Sequence, residues 1–271
     1  MFKREIKVNF KNFLIWSISL GLLLVLIFAI YPSISDKIEF DDMMKNFPPE
    51  LLKSFNFDVV SISTVFGWYA SEGFTIVSLI VAMYAAVLGA SIVLKEESDK
   101  TIEFLYSKPV SRGKILLSKL LAGVVYVIAF NIFIMIITGI GFALSDDMHV
   151  VKWLLLTLSP ILIGLATFVI SAFISLFFKK TRKAIINILK AITYTAMGVA
   201  LGIVMGTYVV NMIAKMSDNV DFLKYLTPFG YIDSADIVTN SALPLYSIII
   251  VLIIIVFAGL LWFRYDRKEF L

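Results

Sequence analysis

The sequence predicts an all-α integral membrane protein with six transmembrane helices. Of its 271 residues, 60% are hydrophobic and only 16% are charged, and the mean hydropathy of +0.93 lies outside the range of soluble globular proteins. A helix needs about 20 apolar residues to cross ~30 Å of hydrocarbon, and six runs of the chain are long enough. These runs lie near residues 13–31, 74–94, 120–144, 153–178, 184–214 and 245–263. Together they make residues 1–271 a single transmembrane domain.

The basic residues predict the orientation of the six spans. If both termini are cytoplasmic, the inner segments hold most of the 24 Lys and Arg residues. These segments are residues 1–12, 95–119, 179–190 and 264–271. The asymmetry follows the positive-inside rule, so we expect cytoplasmic N- and C-termini in a multi-pass protein of the cell membrane. The net charge of +4 is therefore an orientation signal and gives no support for nucleic-acid binding.

Three segments outside the spans are predicted to form short helices. In the first twelve residues, apolar and basic side chains occupy neighbouring faces, which favours an interfacial helix on the anionic inner leaflet and contact with membrane lipids. Charges that only set the topology are the alternative. The first outer loop, residues 32–73, holds Phe47–Phe55, where two prolines suit a helix start. The polar stretch Lys215–Pro244 is expected to form further short outer helices.

The predicted spans contain polar side chains but lack an ionisable group in their interior. All charged residues lie in loops or at span ends in this assignment, whereas ion-coupled carriers and pumps usually keep such a group inside the bundle. The polar residues within the runs include Ser78, Asn131, Thr138, Thr167 and Ser175. We expect these side chains to form hydrogen bonds between helices rather than to line a substrate path.

The residue types needed for an enzyme active site are missing. The chain has no cysteine, and its one histidine, His149, lies in an outer loop, which excludes thiolate metal sites and a Ser/His triad. No G-x-x-x-x-G-K-[ST] phosphate loop occurs, because Lys108 stands where the first glycine would precede Gly113 and Lys114. The chain is therefore predicted to have no catalytic residues, no metal and no cofactor of its own.

A repeat of glycines marks one face of the fifth run. Gly198, Gly202 and Gly206 recur at every fourth residue and form two overlapping G-x-x-x-G patterns. Such a pattern lets a second helix backbone approach closely. The second helix belongs either to the same subunit or to another subunit, and the sequence slightly favours a subunit interface.

The charged segment between the second and third runs is the strongest functional signal. Residues 95–107 contain neither glycine nor proline, and Glu96 and Lys100 form an i,i+4 pair, which favours a short helix. Pro109 would end this helix, and Ser111 would cap the next one, which continues into the third span. We therefore predict a short cytoplasmic helix across the inner mouth of the bundle.

This loop resembles the corresponding loop of permease subunits in ABC-2 type ATP-binding cassette transporters. Their pattern of Glu-Glu, Gly-Thr-x-Glu-x-Leu, Pro-x-Ser-Arg and Lys is matched here, with Lys100 in place of the glycine. The matching residues are Glu96, Glu97, Thr101, Glu103, Leu105, Pro109, Ser111, Arg112 and Lys119. Gly89 and Ala90 before the loop and the segment Leu226–Phe229 also fit, so the resemblance covers nearly the whole chain.

The resemblance implies a membrane subunit whose energy comes from other subunits. Two cytosolic ABC ATPase subunits would bind ATP and Mg, and the chain would pair with a second permease copy or a sister permease. The implied coupling residues are Glu96, Glu97, Thr101, Glu103, Leu105, Pro109 and Arg112. With no charge inside the spans, we expect a prokaryotic exporter of an amphipathic or lipid-like cargo, such as an antimicrobial peptide, drug or lipid-linked molecule. The alternative is a non-transporting six-span module, such as a lipid scramblase or a sensory membrane anchor.

Overall fold

The fold is a bundle of six membrane-length helices. The computed structural model describes residues 1–35, 47–48, 52, 64–98, 110–145, 147–178 and 188–267. Throughout this part of the chain the fold is all-α, and six helical stretches are long and apolar enough to cross a membrane. These stretches, called spans 1 to 6 below, are Phe2–Pro32, Val65–Lys95, Arg112–Leu144, Val150–Ser175, Thr195–Met216 and Ser247–Arg267. The prediction of an all-α protein with six transmembrane helices is confirmed.

Span 1 belongs to one uninterrupted helix, Phe2–Ser35, of 34 residues. At 1.5 Å per residue this helix is about 50 Å long, well beyond the ~30 Å of the hydrocarbon layer. Residues 2–13, predicted to include a separate interfacial helix, are the first turns of this helix and continue into the span without a break. Glu5 and Asn9 are buried on the side that faces the bundle, whereas the basic residues of these turns are exposed.

Span 2 begins earlier than predicted, and its N-terminal end is irregular. It consists of a short helix, Val65–Trp68, a π-helical turn, Tyr69–Gly73, and a long helix, Phe74–Ser98. Apolar and aromatic residues around Glu72 extend the helix beyond the predicted start and bring this carboxylate two turns inside the span. The expectation that charged residues lie only in loops or at span ends is corrected at this position.

Spans 2 and 4 form the centre of the bundle. The most apolar window of span 2 is 72% buried and that of span 4 is 61% buried, compared with 17% to 39% in the other four spans. The two backbones approach so closely that a Cβ atom at Gly89 would lie 2.3 Å from the carbonyl oxygen of Phe168. Span 4 consists of two helices, Val150–Leu158 and Pro160–Ser175. The proline takes the first position of the second helix, where no N–H is needed.

Polar side chains inside the spans mostly bond within their own helix. The side chains of Asn131, Thr167 and Ser175 donate to carbonyl oxygens one turn earlier, at 2.9, 2.9 and 2.7 Å. The expectation of hydrogen bonds between helices is wrong for these contacts, because a short polar side chain easily reaches the carbonyl of the preceding turn. Thr138 differs, since its hydroxyl also accepts a hydrogen bond from the indole of Trp153 at 3.1 Å and so links spans 3 and 4.

Short helices connect spans 5 and 6. The helix Ile188–Met216 contains span 5 and is followed by two 3₁₀-helices and a short α-helix. These elements are Asp218–Leu226, Pro228–Tyr231 and Ser234–Asn240. We call residues 218–246, which lie on the side predicted to be outer, the outer cap. The helix Ser247–Arg267 then returns through the bundle as span 6.

Candidate functional site

The ends of the helices that flank the charged loop are the described part of the predicted coupling site. Of the predicted coupling residues, Thr101, Glu103, Leu105 and Pro109 lie outside the described residues. Glu96 and Glu97 belong to the last turn of the helix Phe74–Ser98. At these two positions the structure describes the backbone only. The predicted short helix therefore stays a prediction. We call the ends of the helices on either side of residues 99–109 the loop stems.

Ser111 starts the downstream stem as the sequence predicts. Its backbone is extended, with φ −64° and ψ 148°, and its hydroxyl accepts a hydrogen bond from the N–H of Lys114 at 3.4 Å. An N-cap of this kind satisfies one of the free N–H groups of the first turn. The helix then continues without interruption from Arg112 to Leu144. The exit from the loop is thus rigidly joined to span 3.

Arg112 rests on the end of span 6. Its guanidinium donates to the carbonyl oxygen of Asp266, in the last turn of the final helix, at 3.2 Å. A cation at a helix C-terminus satisfies carbonyl groups that have no partner within the helix. Next to it, a Cβ atom at Gly113 would lie only 2.7 Å from the indole ring of Trp262. The sequence named Arg112 as a coupling residue, and this contact shows that the start of span 3 is also attached to span 6.

Lys119 lies buried between three helices. Its side chain is only 2% exposed, and its ammonium group donates to the carbonyl oxygen of Ile92 in span 2 at 2.5 Å. The same ammonium nitrogen lies 4.0 Å from a carboxylate oxygen of Glu5 at the start of span 1. The sequence matched Lys119 to the family pattern without a role and did not single out Glu5. A signal was present, since Glu5 is the one acidic residue among the first twelve.

The three glycines of span 5, which we call the glycine stripe, face away from the other helices that the structure describes. A Cβ atom added at Gly198, Gly202 or Gly206 would meet nothing within 4 Å. The opposite face of the helix, with Ala200 and Val204, is buried against the bundle. Of the two partners that the sequence left open, a helix within the described part of the same chain is not in contact with the stripe.

Comparison with known protein families identifies the chain. Over residues 1–270 it matches the family described as ABC-2 family transporter protein. The chain belongs to the ABC-2 transporter family. No curated protein and no solved structure matches it. ABC-2 permeases are membrane transport components that work with separate ABC ATPase subunits, which agrees with the resemblance of the charged loop.

The outer cap of this ABC-2 permease is attached to span 5 by polar contacts. The Nζ atom of Lys215 lies 2.6 Å from one carboxylate oxygen of Asp233, and the other oxygen accepts a hydrogen bond from the N–H of Ala235 at 3.0 Å. Asp233 therefore caps a helix and pairs with a lysine at the same time. The hydroxyl of Thr227 lies 3.5 Å from the side-chain oxygen of Asn211 and makes a second, weaker link.

Two titratable side chains fix the geometry within the cap of the permease. The hydroxyl of Tyr246 donates to the carboxylate of Asp236. Burial, and then this hydrogen bond and the charge of Asp236, raise the pKa of Tyr246, so the phenol stays protonated at neutral pH. Burial alone would lower the pKa of Lys224, but its hydrogen bond and charge interaction with Asp221 outweigh burial and raise it. Both groups keep the protonation state that their contacts require.

A small cleft beneath the cap of the permease is lined by residues of spans 2, 4 and 5 and of the cap. Its polar lining includes Ser78, Asn211, Lys215 and Asp233. Its apolar lining includes Phe74, Ile163, Met212, Phe229 and Ile232. The hydroxyl of Ser78 is buried and has no hydrogen-bond partner among the described residues. The cleft therefore combines a charged rim with an apolar wall and an unused hydroxyl group.

Proposed function

We propose that this permease exports an amphipathic or lipid-like cargo across a prokaryotic cell membrane, driven by ATP hydrolysis in its partner subunits. The observation that carries the proposal is the distribution of charge. Charged side chains of the described spans lie in the first or last third of each span, and the middle thirds hold apolar, hydroxyl and amide side chains. A carrier of small ions usually needs an ionisable group in that middle region.

Energy is expected to enter at the loop between the two stems. On a helix, Glu97, Thr101 and Leu105 would share one face, and we propose that this face meets the ATPase subunit. The anchoring of the downstream stem supports this proposal, because Arg112 contacts span 6 and Lys119 contacts span 2. A push on the loop would therefore reach several spans without passing through a flexible linker.

The first experiment asks whether the permease needs a separate ATPase. Tagged permease purified from its native membrane should bring an ABC ATPase with it, and ATP hydrolysis should require both proteins, because the chain has no phosphate loop. The control is the permease stripped of its partner. Sustained ATP hydrolysis by that isolated chain would contradict the proposal, and passive lipid transfer without any bound ATPase would favour a scramblase.

The second experiment tests the coupling face directly. Changing Glu97 and Leu105 together to Ala should weaken the complex or uncouple hydrolysis from transport, because truncating a buried polar contact on one side typically costs about 1 to 3 kcal/mol. The matched control is Lys114→Ala, an exposed residue of the downstream stem. Since the chain has no cysteine, single cysteines at 97 to 108 can be crosslinked to the ATPase. No crosslink, together with normal transport by the double variant, would contradict the assignment.

We also propose that the glycine stripe packs against a second permease copy or a sister permease. Two observations support this. The stripe has open space within the described chain, and it lies between large exposed apolar side chains of the same helix, among them Val199, Ile203 and Met205. Small residues let the backbones of two membrane helices approach closely, which is how such patterns promote association.

A further inference from the structure

The end of the bundle beside the charged loop contains a buried ion pair between Glu5 and Lys119. We call Glu5, Lys119 and the carbonyl group of Ile92 the inner joint. Glu5 is 6% exposed and Lys119 is 2% exposed. The three groups belong to span 1, span 3 and span 2, respectively. The joint therefore connects the start of the N-terminal helix with spans 2 and 3, the two helices on either side of the charged loop.

Burial of these charges needs a reason beyond the strength of the contact. A buried lysine or glutamate is costly unless it is paired and hydrogen-bonded, and apolar side chains of similar volume often hold helices together at least as well. What a buried pair adds is a fixed register, because only one alignment of the helices satisfies both charges. In the inner joint, that alignment sets the position of span 1 relative to the two loop stems.

Other polar contacts fasten the same turns of span 1. The hydroxyl of Tyr126 in span 3 donates to the carbonyl oxygen of Ile6, and the rings of Tyr126 and Phe13 lie 5.4 Å apart. The side-chain amide of Asn9, which is also buried, donates to the carbonyl oxygen of Glu5 at 2.9 Å within span 1 itself. The first turns of the long N-terminal helix are thus held to span 3 along their inner face.

We propose that Glu5 and Lys119 are positioning residues that make the first turns of span 1 move as one body with the loop stems when the ATPase subunits close. This inference rests on the proposed coupling function. Through the uninterrupted helix Phe2–Ser35, movement of the loop reaches the opposite side of the bundle. The N-terminal helix then moves together with the loop, in addition to spans 2 and 3, which the loop joins directly.

The test measures distances in the assembled complex of permease and ATPase, in lipid nanodiscs. Spin labels are placed at Lys7→Cys and Lys114→Cys, two exposed positions on either side of the inner joint, in a chain without native cysteine. Labelled permease is diluted with unlabelled permease, so that pairs within one chain are read separately. A second, undiluted sample carries one label at position 114 of the permease and one on the ATPase, and it gives the distance between these two proteins. Each sample is measured without nucleotide and after trapping with ATP and vanadate.

The variant is the double change Glu5→Gln and Lys119→Met. This change removes both members of the pair together, and thermal unfolding and co-purification with the ATPase check that the variant folds and assembles. The matched control is Lys11→Met, an exposed lysine on the same helix as Glu5. Mutations within a coupling network change coupling by an amount that corresponds to roughly 2- to 30-fold. We expect the variant to lower permease-stimulated ATP hydrolysis by a factor in that range and the control to leave it unchanged.

The outcomes separate this inference from the proposed function. The inference predicts that trapping shifts the distance from 114 to the ATPase but leaves the 7–114 distance of the unmodified joint unchanged, and that the variant broadens the 7–114 distances on trapping. If 114 moves and the 7–114 distance also changes with the joint intact, the inference is wrong and the coupling function stands. Unchanged hydrolysis and unchanged distances in the variant overturn it as well. If no ATPase binds, the proposed function and the inference fall together.

Discussion

Glycines in spans 2 and 5 of the same bundle have opposite surroundings. At Gly89 in span 2, a Cβ atom would collide with the backbone of Phe168 at 2.3 Å, and at Gly164 in span 4 it would lie 2.9 Å from Val81 and Val127. At each position of the glycine stripe in span 5, a Cβ atom would meet no described residue within 4 Å. The same small residue therefore permits close contact in the centre of the permease and leaves an open surface at its edge.

The difference indicates which part of the permease is complete in one chain. The packing of spans 2 and 4 needs no other subunit, because their glycines are already covered by side chains and backbone of the same chain. Span 5 has one buried face, with Ala196, Ala200 and Val204, and one open face with the stripe. Changes in the centre should therefore affect folding, and changes in the stripe should affect assembly.

The largest effect is expected for Gly89→Leu. The new side chain would overlap a backbone carbonyl that cannot rotate away, and overpacking of this kind typically costs about 1 to 3 kcal/mol, or more where backbone must move. The thermal unfolding midpoint in detergent should fall and the yield of folded protein should drop. Gly259→Leu in span 6 is the matched control, because that glycine has open space. Equal stability of the two variants would show that spans 2 and 4 are not in close contact.

The next change, Gly202→Ile, should leave the folded chain intact and prevent close association of subunits. A side chain at this position has room within the chain but would hold a second helix away from the stripe. The mass of the purified complex and crosslinking between permease copies measure the effect. The control is Gly259→Ile, which places the same side chain on another open helix face. Unchanged assembly together with unchanged transport would mean that nothing packs closely on the stripe.

A smaller effect is expected where span 5 meets the outer cap. Lys215→Met would leave Asp233 without the lysine that lies 2.6 Å away, although the aspartate would still cap its helix. Because both side chains are about one fifth exposed, we expect a loss of about 0.5 to 1 kcal/mol in stability. Thermal unfolding can compare this variant with Lys224→Met, which removes a more exposed pair with Asp221. A larger loss of stability for Lys224→Met would contradict the expectation that the pair between span 5 and the cap contributes more than the pair within the cap.

The smallest effect is expected for Thr167→Val in the centre. Its hydroxyl donates to a carbonyl of its own helix, and valine has nearly the same shape, so stability should change by less than about 0.5 kcal/mol. The same measurement on Thr138→Val serves as the comparison, because that hydroxyl also accepts a hydrogen bond from Trp153 in the next span. A larger loss of stability for Thr167→Val than for Thr138→Val would contradict the expectation that a hydroxyl bonded only within its own helix contributes less.

Local patterns predicted the elements of this fold, and contacts between distant residues were not predictable from them. The six spans follow from the length of the apolar runs, and the cap at Ser111 follows from a serine placed just before a helix. The pairing of Glu5 with Lys119 and the contact of Arg112 with Asp266 join residues more than one hundred positions apart. No periodicity in the sequence encodes such a pairing, so the sequence interpretation named Arg112 and Lys119 but missed Asp266 and Glu5.

The glycine stripe shows a second limit of sequence reasoning. A G-x-x-x-G pattern indicates that a second helix can approach the backbone closely, but it does not indicate whether that face is turned into the bundle or away from it. Only the position of Ala200 and Val204 on the buried face decides that the stripe is turned outward. The outer end of span 2 was missed for another reason. The helix Val65–Trp68 is a single turn, and the carboxylate of Glu72 interrupts the apolar run that would otherwise have revealed it.

The π-helical turn at Tyr69–Gly73 lets span 2 absorb a one-residue change in length. A π-helical turn accommodates one additional residue within an α-helix, so the turns on either side of it keep nearly the facing that they would have in a regular helix. Deleting one residue here would therefore restore regular α-helix. Phe66 would stay close to the ring of Phe142, now 5.7 Å away, and its N–H would keep the carboxylate of Asp147 at 2.7 Å. In homologues without this turn, an alignment should open a one-residue gap within span 2 rather than in the loop before it.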